Sequence, residues 1–206
     1  MTGSNGPPRR INLRMGQEPR IAVLDMEWTS WEGAWARGWS GPGEFREVVE
    51  IGLVTLSDDG ALTEINHFQV YVRPILNPTL STYFINLTGI TQATVDSEGV
   101  TLAAAQERMQ GYLENASMDI YSHGQDGEHL RLNCERIGIP FLFDPERFIN
   151  INIAIGKFIG KPPSAYTSSD LPAELGFDPP GDSHTAVADC RCVAEALRAL
   201  RQAGKF

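Results

Sequence analysis

Apolar residues fall in short, dense runs separated by Gly, Pro, Asn and Asp. The first run, Ile21-Ala22-Val23-Leu24, leads into Asp25-Met26-Glu27 and predicts a buried strand over 21–27. "EVVEIGLVTL" (47–56) predicts a second strand and "LTEINHFQVYVRP" (62–74) a third. The "SDDG" between them (57–60) predicts a hairpin turn. Alternation is imperfect in these runs, as in a sheet covered on both faces. In "VTLAAAQERMQGYLEN" (100–115), Leu102, Ala105, Met109 and Leu113 recur at three-four spacing and predict an amphipathic helix.

Further on, "SMDIYSH" (117–123) predicts a short strand, and "DGEHLRLNCERIG" (126–138) a helix with Leu130, Cys134 and Ile137 on one face. "FINI" (148–151) predicts another strand and "DLPAELGF" (170–177) one or two helical turns. "HTAVADCRCVAEALRALRQAG" (184–204) predicts a long helix capped by Asp182 or Ser183. A strand hairpin followed by alternating helix and strand predicts an α/β fold, a mixed sheet flanked by helices.

Composition adds boundaries. The 206 residues suit one domain. Residues 1–19 carry Gly, Pro and Arg with no apolar run and read as a flexible tail, which leaves 20–206 as the domain. No apolar window is long enough to span a bilayer, so no membrane role is expected. Cys134, Cys190 and Cys192 are odd in number and form no CxxC pair. That argues against a disulfide framework or zinc ribbon and fits a reducing cytoplasm. A formal charge of −9 speaks against coating nucleic acid through a basic surface. It leaves room for an enzyme that meets phosphates through bound divalent cations.

The candidate chemistry is acidic. Residues i and i+2 of a strand point to one side, so Asp25 and Glu27 project together from the end of the first strand. Asp126 opens a helix directly after a strand, where the helix dipole favours a carboxylate. In "HTAVAD", His184 stands at or just before a helix start and Asp189 inside it. Taken singly, each also reads as an ordinary surface acid or capping residue. Four acids and a histidine, each beside a strand end or helix start, suggest one site. Hard oxygen ligands point to Mg2+ or Mn2+, and two such ions suit phosphodiester cleavage.

This pattern, D-x-E, then an Asp opening a helix, then H-x-x-x-x-D, resembles the DEDDh 3′–5′ exonucleases, closest to the branch that trims RNA 3′ ends. "VEIGLVTL" is similar to the family's second strand, "VRPILNPTLSTYFINLTGIT" to its V-R-P … L-T-G-I-T stretch, and "GDSHTAVADCRCVAEAL" to its third motif. The resemblance implies a ribonuclease-H-like fold. It implies metal ligation by Asp25, Glu27, Asp126 and Asp189 to two ions, with His184 as general base. One ion would activate water and the other stabilise the leaving 3′-oxygen, releasing nucleoside 5′-monophosphates from single-stranded RNA or DNA. It also implies substrate contacts at Leu87, Thr88, Gly89 and Ile90. The chain departs from the family at "YSHGQDGEHL", where an aromatic often precedes the second Asp, and at Cys190, where Ala is usual. Asp119 is a distant rival to Asp126.

Trp28, Trp31, Trp35 and Trp39 are spaced 3, 4 and 4, a helical stripe. Gly33, Gly38 and "SGPGE" oppose a regular helix, so 28–46 reads as a helical or looped insertion beside the acids. Its rings pack onto the domain, stack on bases of a single strand or form a partner or dimer surface; Trp28, Thr29, Trp31 and Trp35 are the candidate contacts. Arg37 and Arg46 flank the rings and could meet phosphates. Two other functions stay open: a phosphodiesterase on short oligonucleotides, and a module that binds a nucleic-acid end without cutting it.

Overall fold

The computed structural model describes residues 20–114, 118–181 and 184–206. The predicted tail 1–19 lies outside the described residues, as do the predicted caps Asp182 and Ser183. Five strands, β1 (Arg20–Trp28), β2 (Val48–Ser57), β3 (Glu64–Tyr71), β4 (Ile120–Ser122) and β5 (Phe148–Asn150), form one sheet in the order β3-β2-β1-β4-β5. β1, β2 and β3 pair antiparallel, while β4 and β5 run parallel to β1. The β2–β3 turn is held by Asp59, whose carboxylate accepts the Ala61 and Leu62 N–H groups at 3.0 and 2.9 Å.

Seven α-helices lie among the described residues: α1 (Thr82–Thr88), α2 (Gln92–Glu98), α3 (Leu102–Tyr112), α4 (Asp126–Ile137), α5 (Asn152–Ile159), α6 (Leu171–Leu175) and α7 (Ala186–Gln202). The hydrophobic pattern did not predict α1, α2 or α5. α1 and α2 are seven residues each, too short to show a period, and depend on the Ser81 and Thr91 side-chain caps. α5 carries β-branched residues and Gly156, and forms by burying Ile155 under Tyr166. α7 begins two residues later than predicted, because His184 has a left-handed backbone (φ 62°) that a helix cannot contain.

The two faces of the sheet carry separate cores. Ile21 and Val23 of β1, with Val54 and Leu56 of β2, pack on Val193, Leu197 and Leu200 of α7. Ala22, Leu24 and Met26, with Ile51 and Leu53, pack on Met109 of α3 and Leu130 of α4. Each such fully buried side chain contributes roughly 1.5–3 kcal/mol relative to exposure. α7 crosses β2 at Gly52, where a β-carbon would lie 2.6 Å from the Ala186 carbonyl carbon and 2.7 Å from the Val187 nitrogen. The Cys190 thiol reaches into the same crossing, with Sγ 3.4 Å from the Val23 carbonyl oxygen and 3.3 Å from that of Gly52.

The tryptophan stripe does not form a helix. Residues 32–39 are a chain of turns, interrupted by positive φ at Gly33 (70°), Gly38 (61°) and Trp39 (56°). A regular helical face therefore never develops.

Candidate active site

The α7-facing side of β1 reads Ile21, Val23, Asp25, Glu27: the apolar stripe turns acidic at the strand's end. Its partners on β2 do the same, since Asp25 pairs with Gly52 and Glu27 with Glu50. A register shift after Glu27, the mark of a β-bulge, ends the regular pairing there. Asp126 is the first residue of α4, 6% exposed, and Asp189 lies in the first turn of α7, 4% exposed. With His184 from the preceding turn, these residues line one cleft of about 300 Å³. Asp119 does not take Asp126's place: it precedes β4, and its backbone carbonyl accepts the Ala22 N–H at 3.0 Å.

The electrostatics describe a site short of positive charge. Burial, then the charges of Asp189, Asp126, Glu27 and Glu50, pushes the Asp25 carboxyl well above the usual carboxylate range. Glu27 is raised in the same way, first by burial and then by Asp189. Burial raises Asp126 to about 6, opposed by the α4 backbone and the Ser122 hydroxyl. Burial also raises Asp189 to about 7, opposed by a hydrogen bond from Ser168. The second carboxylate oxygen of Asp189 is buried with no hydrogen-bond partner. Ligand-capable atoms of Glu27, His184 and Asp189 lie within 4.8 Å of one another. An orphaned buried oxygen among mutually repelling hard donors fits a divalent cation. Burial lowers the pKa of His184, which favours its neutral, proton-accepting form.

Sequence reasoning passed over Glu50. It is 1% exposed, and its carboxylate accepts the Ala186 N–H at 3.0 Å and a hydrogen bond from Gln69 Nε2. It thereby fixes the start of α7, between His184 and Asp189. A lone acid inside the apolar run "VVEIGLVTL" was the available signal.

The predicted substrate contacts divide. Trp28, Trp31, Trp35 and Leu87 line the cleft, joined by Trp39 and Tyr83. Trp35 is 68% exposed and meets Trp39 edge-on, with ring centroids 5.8 Å apart. Trp39 donates from Nε1 to the Thr29 carbonyl at 3.2 Å. Trp28 meets His129 edge-on at 5.1 Å. Thr29, Thr88, Gly89 and Ile90 are not on the cleft wall, a correction to the sequence reading. The Thr29 hydroxyl is buried and donates to the Phe45 carbonyl at 2.7 Å. Thr88 bonds to the Phe84 carbonyl at 3.0 Å and receives the Ile90 N–H at 3.1 Å. Gly89 caps α1 with φ 74°, and Ile90 is core with Leu80, Phe84 and Val95. The L-T-G-I run is thus mainly a helix stop. His129, unnoticed in the sequence, sits one turn along α4 from Asp126, a spacing that puts both on one side.

A mixed sheet in this order, with acids gathered where β1, α4 and α7 meet, is a ribonuclease-H-like architecture. The chain belongs to the exonuclease family, matched over residues 22–197 by the family model described as "RNase_T: Exonuclease", and to its DEDDh branch. The curated protein "3'-5' exoribonuclease 1" of Rattus norvegicus is 30% identical over 191 residues, covering 88% of this chain and 53% of that one. The chain spans about half the length of the curated relatives it matches. A crystallographic structure of the nuclease domain of 3'hExo, a DEDDh family member, bound to rAMP, is similar with a TM-score of 0.74 and 27% identity. That match covers 92% of this chain and 94% of the other. Cell-death related nuclease 4 (CRN-4) matches with a TM-score of 0.75 at 20% identity, over 91% of this chain and 65% of that one, a likeness of fold. Among the described residues, no helix is long and apolar enough to cross a membrane.

Proposed function

We propose that this protein is a metal-dependent 3′–5′ exonuclease that hydrolyses the terminal phosphodiester of single-stranded RNA or DNA and releases nucleoside 5′-monophosphates. The observation that carries the reading is the convergence of Asp25, Glu27, Asp126, Asp189 and His184 on one cleft. The four carboxylates would hold two Mg2+ or Mn2+ ions. Bound there, such ions neutralise the carboxylates, polarise the scissile phosphate and acidify water. Neutral His184 takes the proton of the attacking water, a role its lowered pKa supports. Glu50 keeps His184 and Asp189 in register by anchoring α7. The rings of Trp28, Trp31 and Trp35 and the Leu87 side chain offer apolar walls for terminal bases.

The name of the rat relative makes RNA the first substrate to try. Three buried free thiols support a reducing compartment such as the cytoplasm. The test is incubation with 5′-labelled single-stranded RNA and DNA 20-mers, free or blocked at the 3′ end, and with a dinucleotide, in Mg2+, Mn2+ or EDTA. Stepwise shortening of free-ended strands, with mononucleotide release and none in EDTA, is expected. Turnover of the dinucleotide alone would replace the reading with an oligonucleotide phosphodiesterase. Binding without any cutting would make the chain an end-recognition module.

A further inference from the structure

Four acids line the cleft, and among its lining residues Arg46 is the one arginine or lysine. Its half-buried guanidinium lies 3.8 Å over the centroid of the Trp39 ring. It donates to His129 Nε2, with Nη1 2.9 Å away. The indole is neutral, and burial, then the nearby arginine, lowers the His129 pKa and so favours its neutral form. Among the described residues no carboxylate pairs with Arg46, and no second hydrogen bond uses its remaining N–H groups. Arg37, the other arginine of the insertion, is spent. Both arms of its fork bind Glu44, and Nη1 also donates to the Glu32 carbonyl at 2.8 Å.

A half-buried guanidinium held flat by an aromatic face and one neutral acceptor keeps a free two-pronged edge. That edge matches the oxygens of a phosphate, and the fixed geometry spares the ordering cost of a mobile side chain. On a chain of formal charge −9, one oriented cation beside the acids has a large effect on where a polyanion can lie. Asp126 lies within electrostatic reach of Arg46, so the guanidinium stands at the edge of the acidic centre.

We infer that Arg46, presented by Trp39 and His129, grips a backbone phosphate of the single strand and sets its register in the cleft. The inference rests on the exonuclease reading. The competing role for Arg46 is to neutralise Asp126 and so tune metal uptake.

Steady-state cleavage of a labelled single-stranded RNA and of the matching DNA, at several KCl concentrations, separates the two for the wild type, Arg46→Gln and Arg46→Lys. The inference expects KM to rise about tenfold in Arg46→Gln at low salt, with kcat within about threefold. The slope of log KM against log salt should fall by roughly 0.7, the loss of one phosphate contact on a single strand. Arg46→Lys should restore the slope but only part of KM, because an ammonium lacks the fork. An unchanged slope in Arg46→Gln, together with a shifted magnesium requirement, overturns the inference in favour of the Asp126 role. An unchanged slope with a lowered melting temperature overturns it in favour of packing. If the wild type cuts neither strand, the exonuclease reading has failed separately. Arg46 is then judged by salt-dependent anisotropy of the same strands, where an unchanged slope in Arg46→Gln again overturns the inference.

Discussion

The Glu50 carboxylate accepts the backbone N–H of Ala186 at 3.0 Å, tying the second strand to the first residue of α7 across 136 positions of chain. An acid from the sheet thus does at α7 what a local side-chain cap does elsewhere; Thr185, the N-cap residue, makes no side-chain cap hydrogen bond. The bond lies between the two groups proposed for chemistry, His184 in the turn before α7 and Asp189 in its first turn. Glu50→Ala should therefore lower kcat by about tenfold or more and destabilise the fold by roughly 1–3 kcal/mol, the cost of an unsatisfied buried N–H. Glu50→Gln keeps an oxygen for Ala186, and Gln69 can turn its own amide to match, so most activity should return. Equal damage from both substitutions would show that the charge matters and the anchor does not.

Stability should depend on pH and cations together. Asp126 and Asp189 titrate near 6 and 7 in the folded protein against an ordinary value of 3.8. The folded state therefore holds these protons more tightly than the unfolded chain. Their contribution is most favourable at low pH and is lost as pH rises from about 4 to about 7. In EDTA the melting temperature should fall between pH 5 and 7.5, and excess magnesium should restore it mainly at pH 7.5. A melting temperature that climbs over this range in EDTA and ignores magnesium would contradict the assignment.

Asp25→Asn and Asp189→Asn should each reduce cleavage by about 100-fold or more. The same substitutions remove a repelling buried charge, so the melting temperature in EDTA at pH 7.5 should stay level or rise. Cleavage kinetics and thermal melts on one preparation decide this. Loss of activity accompanied by unfolding would assign the carboxylates to structure.

His184→Ala should slow cleavage by about 100 to 10,000-fold, the range for a general base. In the wild type the acid limb of kcat/KM should lie below pH 6.5, because burial lowers the His184 pKa and its neutral form persists to lower pH. Magnesium stabilisation of the variant should match the wild type. A variant that needs far more magnesium and then regains full turnover would make His184 a ligand, a role its place within 4.8 Å of Glu27 and Asp189 also permits.

The tryptophans should separate by exposure. Trp35→Ala should leave the melting temperature within about 2 °C and weaken single-strand binding by roughly 1–3 kcal/mol. Trp39→Ala loses the bond to the Thr29 carbonyl and the platform under Arg46, and should cost about 1–3 kcal/mol of stability. Thermal melting and fluorescence anisotropy are sufficient. Wild-type binding by Trp35→Ala would leave its ring to a protein partner.

What could be read from the sequence followed from periodicity and from side chains whose position depends on local geometry. The two-residue alternation of β1 places Asp25 and Glu27 together, and the strand–helix junction places Asp126. Contacts between elements distant in sequence were not legible. Glu50 and His129 acquire meaning only when β2 meets α7 and α4 meets the insertion, while Arg46, legible as a flanking arginine, gains its partner His129 only there. The tryptophan spacing alone implied a helix; Gly33 and Gly38, legible as opposing one, take positive φ together with Trp39, and of the helical or looped readings the looped one holds. Thr88, Gly89 and Ile90 misled for the opposite reason. A helix stop and a core residue leave a recognisable motif without touching the cleft.

The Cys190 thiol of α7 reaches the Val23 carbonyl of β1 across 167 positions. A ribosome adding about 5–20 residues per second needs roughly 8 to 33 s to make that stretch. Throughout this interval Asp25 and Glu27 exist without Asp189, and β2 lacks its cover at Gly52. A growing chain therefore lacks Asp189, one of the proposed metal ligands, throughout that interval. The proposed site is complete only once α7 has been made and packs on β1 and β2.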